Sequence, residues 1–219
     1  MLSRSKAPFC YFCPSFCLKG FQTLAIAFQF LNMRKLSAAE MDRVGLSEFR
    51  GRPKTPLVLG LDNVRSALNV GSMFRTADAF ALEGLALCGI TACPPHRELN
   101  KTALGSTESV AWAYFPDALA AVAHYRALGY RICGAEQATG SLSLREFSPE
   151  PGVGHLLFVG NEVEGLGESL MEALDFCIEI PQWGTKHSLN VAVCAGIVSW
   201  HFAAASLHPL SASGQKDIF

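Results

Sequence analysis

Residues 180–193 read IPQWGTKHSLNVAV, and this stretch decides how the chain is interpreted. A strand ends at Pro181, a polar loop with one glycine follows, and Ser188 to Asn190 open a long apolar helix. Such a helix start leaves backbone N–H groups without partners in the helix and places short polar side chains beside them. The arrangement suits a ligand with polar edges, although a capped helix after a strand also occurs for packing alone.

Two other segments have the same form. Residues 57–65, LVLGLDNVR, are an apolar strand that ends in polar residues and runs into NVGSMFRTA at 69–77. Residues 156–166, LLFVGNEVEGL, pass from an apolar run into glycine, amide and carboxylate groups. Ligands of open α/β sheets bind at the carboxyl ends of the strands. The sequence therefore predicts a ligand site where these three segments end.

Strand-like and helical runs alternate from residue 57 onward, which predicts an α/β sheet with mainly parallel strands. The predicted strands are 57–61, 85–90, 130–135, 156–159 and 178–180, with a shorter one at 111–115. The predicted helices are 70–81, 116–127, 166–173 and 188–205.

Taken in order, the three segments resemble the SpoU family of RNA methyltransferases, also called TrmH, within the SPOUT superfamily. The matching pieces are N-x-G-x-x-x-R-T-A at 69–77, Gly160-Asn161-Glu162 with Gly165, and 180–191 from Ile180-Pro181 through Gly184 to Ser188-Leu189-Asn190-Val191. One motif alone would be weak, but three in the right order are specific. The resemblance covers roughly residues 56–207.

The resemblance implies a mainly parallel sheet with helices on both faces and a deep trefoil knot near the C-terminus. Periodicity alone predicts only a doubly wound sheet, since knots are rare exceptions to the usual threading of chains. The resemblance further implies that knotted loops hold S-adenosyl-L-methionine in a bent shape. It also implies a homodimer in which two chains complete the active site.

Five residues match the catalytic positions of the family, namely Arg75, Asn69, Glu162, Ser188 and Asn190. Arg75 is expected to orient an RNA phosphate and stabilise the developing alkoxide, because guanidinium binds phosphate bidentately and hardly deprotonates. A helix N-terminus that favours anions would support this role. Glu162 is expected to hold Arg75 or to accept hydrogen bonds from the ligand. Asn69 and Ser188 would also serve as simple helix caps.

The resemblance places the cofactor against two loops, and the residues it assigns there are Val159, Gly160, Asn161, Gly165, Ile180, Gln182, Gly184, Ser188 and Leu189. Glycine allows the backbone to approach a ligand closely. Trp183 has three open interpretations: it stacks on a base, covers the cofactor or packs in the protein. Lys186 and His187 have two open interpretations: they approach an RNA phosphate, or they are simply exposed.

These features predict methyl transfer from S-adenosylmethionine to a ribose 2′-oxygen in tRNA or rRNA. A base nitrogen as acceptor, or a non-catalytic RNA-binding dimer, remain the alternatives. Arg75 in its motif favours ribose, and the presence of Arg75, Glu162 and Asn190 favours an enzyme. A plain nucleotide-binding protein is disfavoured because neither G-x-G-x-x-G nor a P-loop occurs. No metal is expected to take part.

Charge and composition divide the chain of 219 residues. Residues 1–32 contain six phenylalanines, three cysteines and no acid, which predicts a disordered or non-native extension upstream of a true start at Met33. Residues 33–55 form a basic arm, 56–207 the methyltransferase domain and 208–219 a frayed tail. Residues 55–219 hold nine basic and sixteen acidic side chains, so RNA contact must be local.

The eight cysteines and the apolar segments indicate in which compartment of the cell the protein is located. Five cysteines lie scattered in apolar segments and are expected to be small buried hydrophobes in a reducing compartment. Cys10, Cys13 and Cys17 lack a fourth ligand and a nearby histidine, so zinc is not expected there. In residues 1–32, Ala25-Ile26-Ala27 has the A-x-A form of a signal-peptide cleavage site, but Pro14 and Lys19 interrupt the apolar run, and its last uninterrupted part is too short to span a bilayer. The sequence predicts a cytoplasmic protein.

Overall fold

The computed structural model describes residues 34–41, 44–186 and 188–207. Its strands are β1 Thr55–Asp62, β2 Leu82–Cys88, β3 Trp112–Phe115, β4 Arg131–Ala135, β5 Leu142–Ser143, β6 His155–Val159 and β7 Phe176–Glu179. They form one seven-stranded sheet in the order β3-β2-β1-β6-β4-β7-β5, and every neighbouring pair is parallel. The prediction of a parallel α/β sheet is confirmed.

Helices cover both faces of this sheet. Their bounds are α1 Leu46–Gly51, α2 Ala67–Ala79, α3 Arg97–Ala103, α4 Ser106–Ser109, α5 Ala118–Ala127, α6 Glu168–Ala173 and α7 Val191–Leu207. Leu57, Leu59 and Leu61 of β1 pack with α2 and α7, whereas Val58 packs with α5 and α6 on the other face. Successive strand side chains point to opposite faces, so a strand buried on both sides reads as one continuous apolar run.

The register of the strands brings four carboxyl ends together. Leu61 of β1 lies opposite Val159 of β6, Gly134 of β4 lies opposite Phe158, and Ala135 pairs with Ile178 of β7. From β1 the chain first builds β2 and β3 on one side and later fills the other side. Such a reversal opens a crevice at the carboxyl edge, where ligands of α/β sheets bind.

The structure corrects several element boundaries. Residues 97–109 contain α3 and α4, which the sequence interpretation left without helices, and β5 is an additional short strand. The final helix begins at Val191 rather than at Ser188, and β2 ends at Cys88, two residues earlier than predicted. Helix α3 packs along α2. Its periodicity is hard to recognise because only Leu99 and Ala103 are buried.

The arm contributes a 3₁₀ helix, Ala38–Met41, in the described segment 34–41, and α1 precedes β1. The predictions for residues 1–32 and 208–219 lie outside the described residues. Among the helices that are described, none combines the length and the apolar character that a membrane crossing requires. Within 34–41, 44–186 and 188–207, no group of three or more His, Cys, Asp or Glu is arranged to hold a metal ion.

Candidate active site

The loop after β1 delivers Asn69 to the carboxyl edge of the sheet. Helix α2 begins at Ala67, and the Ser66 hydroxyl caps it by accepting a hydrogen bond from the Asn69 backbone N–H at 3.3 Å. The cap is therefore Ser66, and the interpretation of Asn69 as a cap is wrong. Because Ser66 satisfies the helix end, the Asn69 side chain is available for other partners.

A hydrogen-bond network joins the three sequence segments. The Asn69 amide donates to Glu162 Oε1 at 2.9 Å, and Asn69 Oδ1 accepts from Asn190 Nδ2 at 3.3 Å. The Glu162 carboxylate also accepts from the backbone N–H groups of Arg65 and Ser66, both at 3.3 Å. Residues 69, 162 and 190 are thus held as one unit, although 121 positions separate Asn69 from Asn190.

The Glu162 carboxylate is kept ionised by this network. Burial raises its pKa, but the hydrogen bonds from Asn69 and from the backbone lower it more, so the pKa lies below the ordinary value. An ionised carboxylate only accepts hydrogen bonds, which suits the donors around it. The expected contact between Glu162 and Arg75 is not among the hydrogen bonds or ion pairs of the described residues.

Asn190 has a second function as the cap of α7. Its Oδ1 accepts from the backbone N–H groups of Ala192 at 2.9 Å and Val193 at 3.3 Å. The interpretation of Ser188 as the cap is therefore wrong, since the helix starts three residues later. Ser188 is exposed and lines the cavity described below.

Substitutions at Asn190 separate its two functions. We expect Asn190→Ala to lower the free energy of unfolding by about 1 kcal/mol through loss of the cap, which is a fall of about 2–4 °C in Tm. Asn190→Asp keeps the capping oxygen but removes the donor to Asn69, so its Tm should stay closer to that of the wild type. Calorimetric melting curves of both variants check this. Equal destabilisation by the two substitutions would contradict the assignment of Oδ1 as the cap.

The turn after β6 is built tightly around two glycines. Asn161 and Gly165 exchange backbone hydrogen bonds at 3.2 Å, and Asn161 Oδ1 accepts from the N–H groups of Val163 and Glu164 at 2.9 and 2.8 Å. Gly165 has φ of 69°, a region that favours glycine. A Cβ on Gly160 would lie 2.1 Å from the Gly165 carbonyl carbon. The turn at 160–165 therefore leaves no room for a side chain at Gly160.

Glu136 is a site residue that the sequence interpretation missed. It follows β4, and its Oε2 accepts from the Leu166 backbone N–H at 3.2 Å while Oε1 accepts from that of Gln137 at 3.0 Å. A Cβ on Gly165 would lie 2.3 Å from Glu136 Oε2. The signal was present, since Glu136 is the first polar residue after the predicted strand 130–135.

These loops enclose a cavity of about 780 Å³ at the carboxyl ends of β4, β6 and β7. Of the nine residues expected to bind cofactor, eight line it: Val159, Gly160, Asn161, Gly165, Ile180, Gln182, Ser188 and Leu189. Gly184 does not. Four carboxylates also line it, those of Glu136, Glu162, Glu164 and Glu179, whereas the described lining includes no lysine or arginine. The cavity therefore suits a ligand with cationic groups, and its apolar walls suit a flat ring.

Arg75 does not line this cavity. It is the ninth residue of α2, so the predicted position near an anion-favouring helix start is wrong. Its exposed side chain lines a separate cleft of about 480 Å³ between α2 and α3, together with Lys101, Thr102 and Phe80. In the described part of the chain, no hydrogen bond or ion pair engages the Arg75 guanidinium. The guanidinium is therefore available to bind an anion.

Comparison with known proteins agrees with this geometry. Residues 56–200 match the model of the SpoU rRNA Methylase family, which is more than half of the chain. The chain belongs to this family. The matched range contains the three segments joined by the Asn69, Glu162 and Asn190 network, so the SpoU resemblance drawn from the sequence is confirmed.

Several SpoU relatives are similar in sequence or structure. The Mus musculus tRNA (guanosine(18)-2′-O)-methyltransferase TARBP1 is 29% identical over 163 residues, covering 72% of this chain and 10% of that protein. The Bacillus subtilis 23S rRNA (guanosine(2553)-2′-O)-methyltransferase RlmP is 31% identical, covering 66% of this chain and 56% of the relative. The AdoMet-bound rRNA methyltransferase of Sinorhizobium meliloti aligns with a TM-score of 0.65 and 30% identity, covering 74% and 61%. This chain thus spans 10% of the length of TARBP1 and 56% of the length of RlmP.

Proposed function

We propose that this protein transfers a methyl group from S-adenosylmethionine to a ribose 2′-oxygen of tRNA or rRNA. The observation that carries the proposal is the network in which Asn69, Glu162 and Asn190 join three distant segments at one cavity. Both sequence relatives described above are named guanosine 2′-O-methyltransferases, which favours ribose over a base nitrogen. A cytoplasmic location is part of the same proposal.

The cavity fits S-adenosylmethionine in size and chemistry. A volume of about 780 Å³ is in the range of small-molecule sites. The carboxylates at its wall complement a sulfonium and an ammonium group. Gly160 and Gly165 line the cavity with backbone atoms alone. When bound, S-adenosylmethionine supplies an electrophilic methyl group.

The residues of the chain orient the acceptor and help its hydroxyl to lose a proton. Ser188 and Asn190 lie at the cavity wall, where a hydroxyl and an amide can hold the ribose. Glu162, fixed by three donors that include Asn69, keeps the loop after β1 beside this wall. Arg75 binds the phosphate next to the target ribose and stabilises the negative charge that develops on the 2′-oxygen. The new C–O bond forms as the carbon–sulfur bond breaks, and the hydroxyl proton passes to solvent.

Arg75 reaches the cavity across a homodimer in this proposal. Helix α7 exposes an apolar stripe at spacings of four and three residues: Val193 is 51%, Ile197 38% and Trp200 51% exposed. Trp200 packs on Phe80, which also lines the cleft of Arg75. The stripe begins next to Asn190, so a second copy seated on it would bring Arg75 of the partner subunit toward the cavity.

The trefoil knot belongs to the proposal as well. Strand β7 lies between β4 and β5 near one edge of the sheet, yet α7 packs on α2 and β1 at its centre. The connection 180–190 therefore returns across the carboxyl edge, past the loops that follow β4 and β6. We propose that it threads through the loop between β4 and β6 and so positions Ser188 and Asn190.

Disrupting the stripe tests the dimer. We expect Ile197→Asp to convert the protein to a monomer and to lower methyl transfer at least about tenfold, because a charge would be buried in the interface. The dissociation constant for S-adenosylmethionine should stay near that of the wild type. Light scattering and transfer assays measure both effects. Leu128→Asp, at an exposed site beyond α5, is the matched control, and a fully active Ile197→Asp monomer would refute the dimer.

The proposed activity is tested with labelled S-adenosylmethionine. Protein covering residues 33–219 is incubated with the labelled donor and unmodified total RNA, and the label in RNA is counted. Calorimetry on the same protein measures binding of the donor and of its demethylated product. We expect binding of both and incorporation into RNA. If neither the donor nor its demethylated product bound to the protein, the proposal would be overturned.

A further inference from the structure

Trp183 is the most exposed large apolar side chain among the described residues, with 84% of its surface accessible. It lies in the connection between β7 and α7, two residues after Pro181 and directly before Gly184. An indole exposed to this degree contributes almost nothing to folding, because its apolar surface remains in water. Its place in the molecule, at the edge of the candidate active site, therefore requires another explanation.

The neighbours of Trp183 show which side of the cavity it occupies. Gln182 lines the cavity, and so do Ser188 and Leu189 farther along the same connection, whereas Trp183 does not. Trp183 is therefore not part of the wall of this cavity. Val163, which lines the cavity, is 73% exposed, so the rim has a second apolar group.

Hydrogen bonds do not fix the described part of the connection at this rim. Within the described residues, no hydrogen bond involves 181–186, while Asn190 anchors its far end to Asn69. Lys186 is exposed and makes no ion pair there. Lys186 follows Trp183 by three residues. An exposed aromatic ring and a cation in one loop are groups that bind single-stranded nucleic acid, through stacking on bases and attraction to phosphates.

We propose that Trp183 stacks on an unpaired base of the RNA whose ribose is presented to the cavity. This inference rests on the proposed function, because only a ribose delivered to the cavity brings its base, or that of a neighbour, to the rim. Unpaired bases are the groups that RNA-binding proteins commonly stack on aromatic side chains. Stacking tolerates any base, so Trp183 supplies affinity for unstacked nucleotides rather than a choice of sequence.

The test compares Trp183→Ala with Trp112→Ala as a matched control. Trp112 is also exposed, at 38%, but lies on the edge strand β3 away from the cavity. We expect Trp183→Ala to raise the KM for RNA about tenfold, in line with the contribution of one stacked base. Its Kd for S-adenosylmethionine should stay within about twofold of the wild-type value, as expected for a residue outside the cofactor wall. Trp183→Phe should recover most of the loss.

A binding experiment identifies the stacked group. A short single-stranded oligoribonucleotide and an abasic ribose–phosphate oligomer of equal length are titrated into wild type and Trp183→Ala, with tryptophan fluorescence as a second readout. We expect the wild type to prefer the oligomer with bases, and Trp183→Ala to lose this preference together with most of the fluorescence quenching.

The other outcomes overturn the inference in distinguishable ways. If the wild type transfers methyl groups and Trp183→Ala has a normal KM for RNA, the indole is not a binding group. A weakened Kd for S-adenosylmethionine would instead place Trp183 over the cofactor, and a shift to monomers in light scattering would place it against a second copy. If the wild type itself neither binds the donor nor methylates RNA, the proposed function fails first.

Discussion

Arg75→Ala should abolish most methyl transfer while leaving the cofactor site intact. Removal of a charged group that stabilises an oxyanion lowers turnover by about 10²–10³-fold. Because Arg75 lines the cleft between α2 and α3 and not the cavity, we expect an unchanged Kd for S-adenosylmethionine and an unchanged Tm. Single-turnover transfer to RNA and calorimetry on the same sample measure the two effects.

Two variants accompany this prediction as controls. Arg75→Lys keeps the charge but loses the bidentate geometry, so it should recover only part of the activity. Arg145→Ala removes another exposed arginine, outside both the cleft and the cavity, and should behave as wild type. Near-normal turnover of Arg75→Ala would remove Arg75 from the catalytic assignment.

Mixed dimers test whether Arg75 acts across the subunit interface. Suppose that one copy supplies Arg75 and the other copy supplies the cavity. A dimer of one Arg75→Ala chain and one chain whose cavity is inactivated by a substitution then contains one intact site. Random mixing in equal amounts should then restore about a quarter of wild-type activity. Activity no greater than that of the separate variants would show that Arg75 serves its own cavity or none.

Gly160→Ala should prevent the cofactor from binding normally. Its new Cβ would lie 2.1 Å from the carbonyl carbon of Gly165 and 2.5 Å from the backbone nitrogen of Leu166. Backbone atoms have no alternative rotamer, so the turn at 161–165 must move away from β6. A packing clash of this kind costs about 1–3 kcal/mol, and we expect the Kd for S-adenosylmethionine to rise about 10- to 100-fold.

Gly167→Ala is the control in the same loop. Nothing lies within 4 Å of the position its Cβ would take, and its φ of −65° is ordinary for alanine. Calorimetric titration should give a wild-type Kd for this variant. Equal Kd values for Gly160→Ala and wild type would show that the turn at 161–165 does not shape the cofactor site.

Local patterns were sufficient to predict the sheet and the edge where the site lies. The apolar runs at 57–61 and 156–159 are buried on both faces in the structure, which is why they are continuous in sequence. The polar residues after them, Asn69 and Glu162, do meet at the carboxyl edge. Parallel strands place their carboxyl ends together, so this part of the site follows from strand order alone.

Local patterns could not predict the helix caps or the contacts between residues that are distant in sequence. Serine and asparagine are both common at helix N-caps, so the sequence allows either Ser188 or Asn190 as the cap of the last helix. The structure shows that the cap is Asn190, because α7 begins at Val191. Glu136 contributes through the backbone of Leu166, 30 residues away, a contact that no spacing rule describes. The cleft that the Arg75 side chain lines depends on how α3 packs against α2. The sequence pattern does not predict α3, so it could not predict this cleft.

The position of the methyl group in the RNA product tests the central claim most directly. RNA labelled by this protein is hydrolysed with alkali, which requires a free 2′-hydroxyl, and the products are separated by charge. A methylated 2′-oxygen blocks cleavage, so the account predicts that the label remains in alkali-stable dinucleotides. Label recovered in mononucleotides would place the methyl group on a base and contradict transfer to ribose.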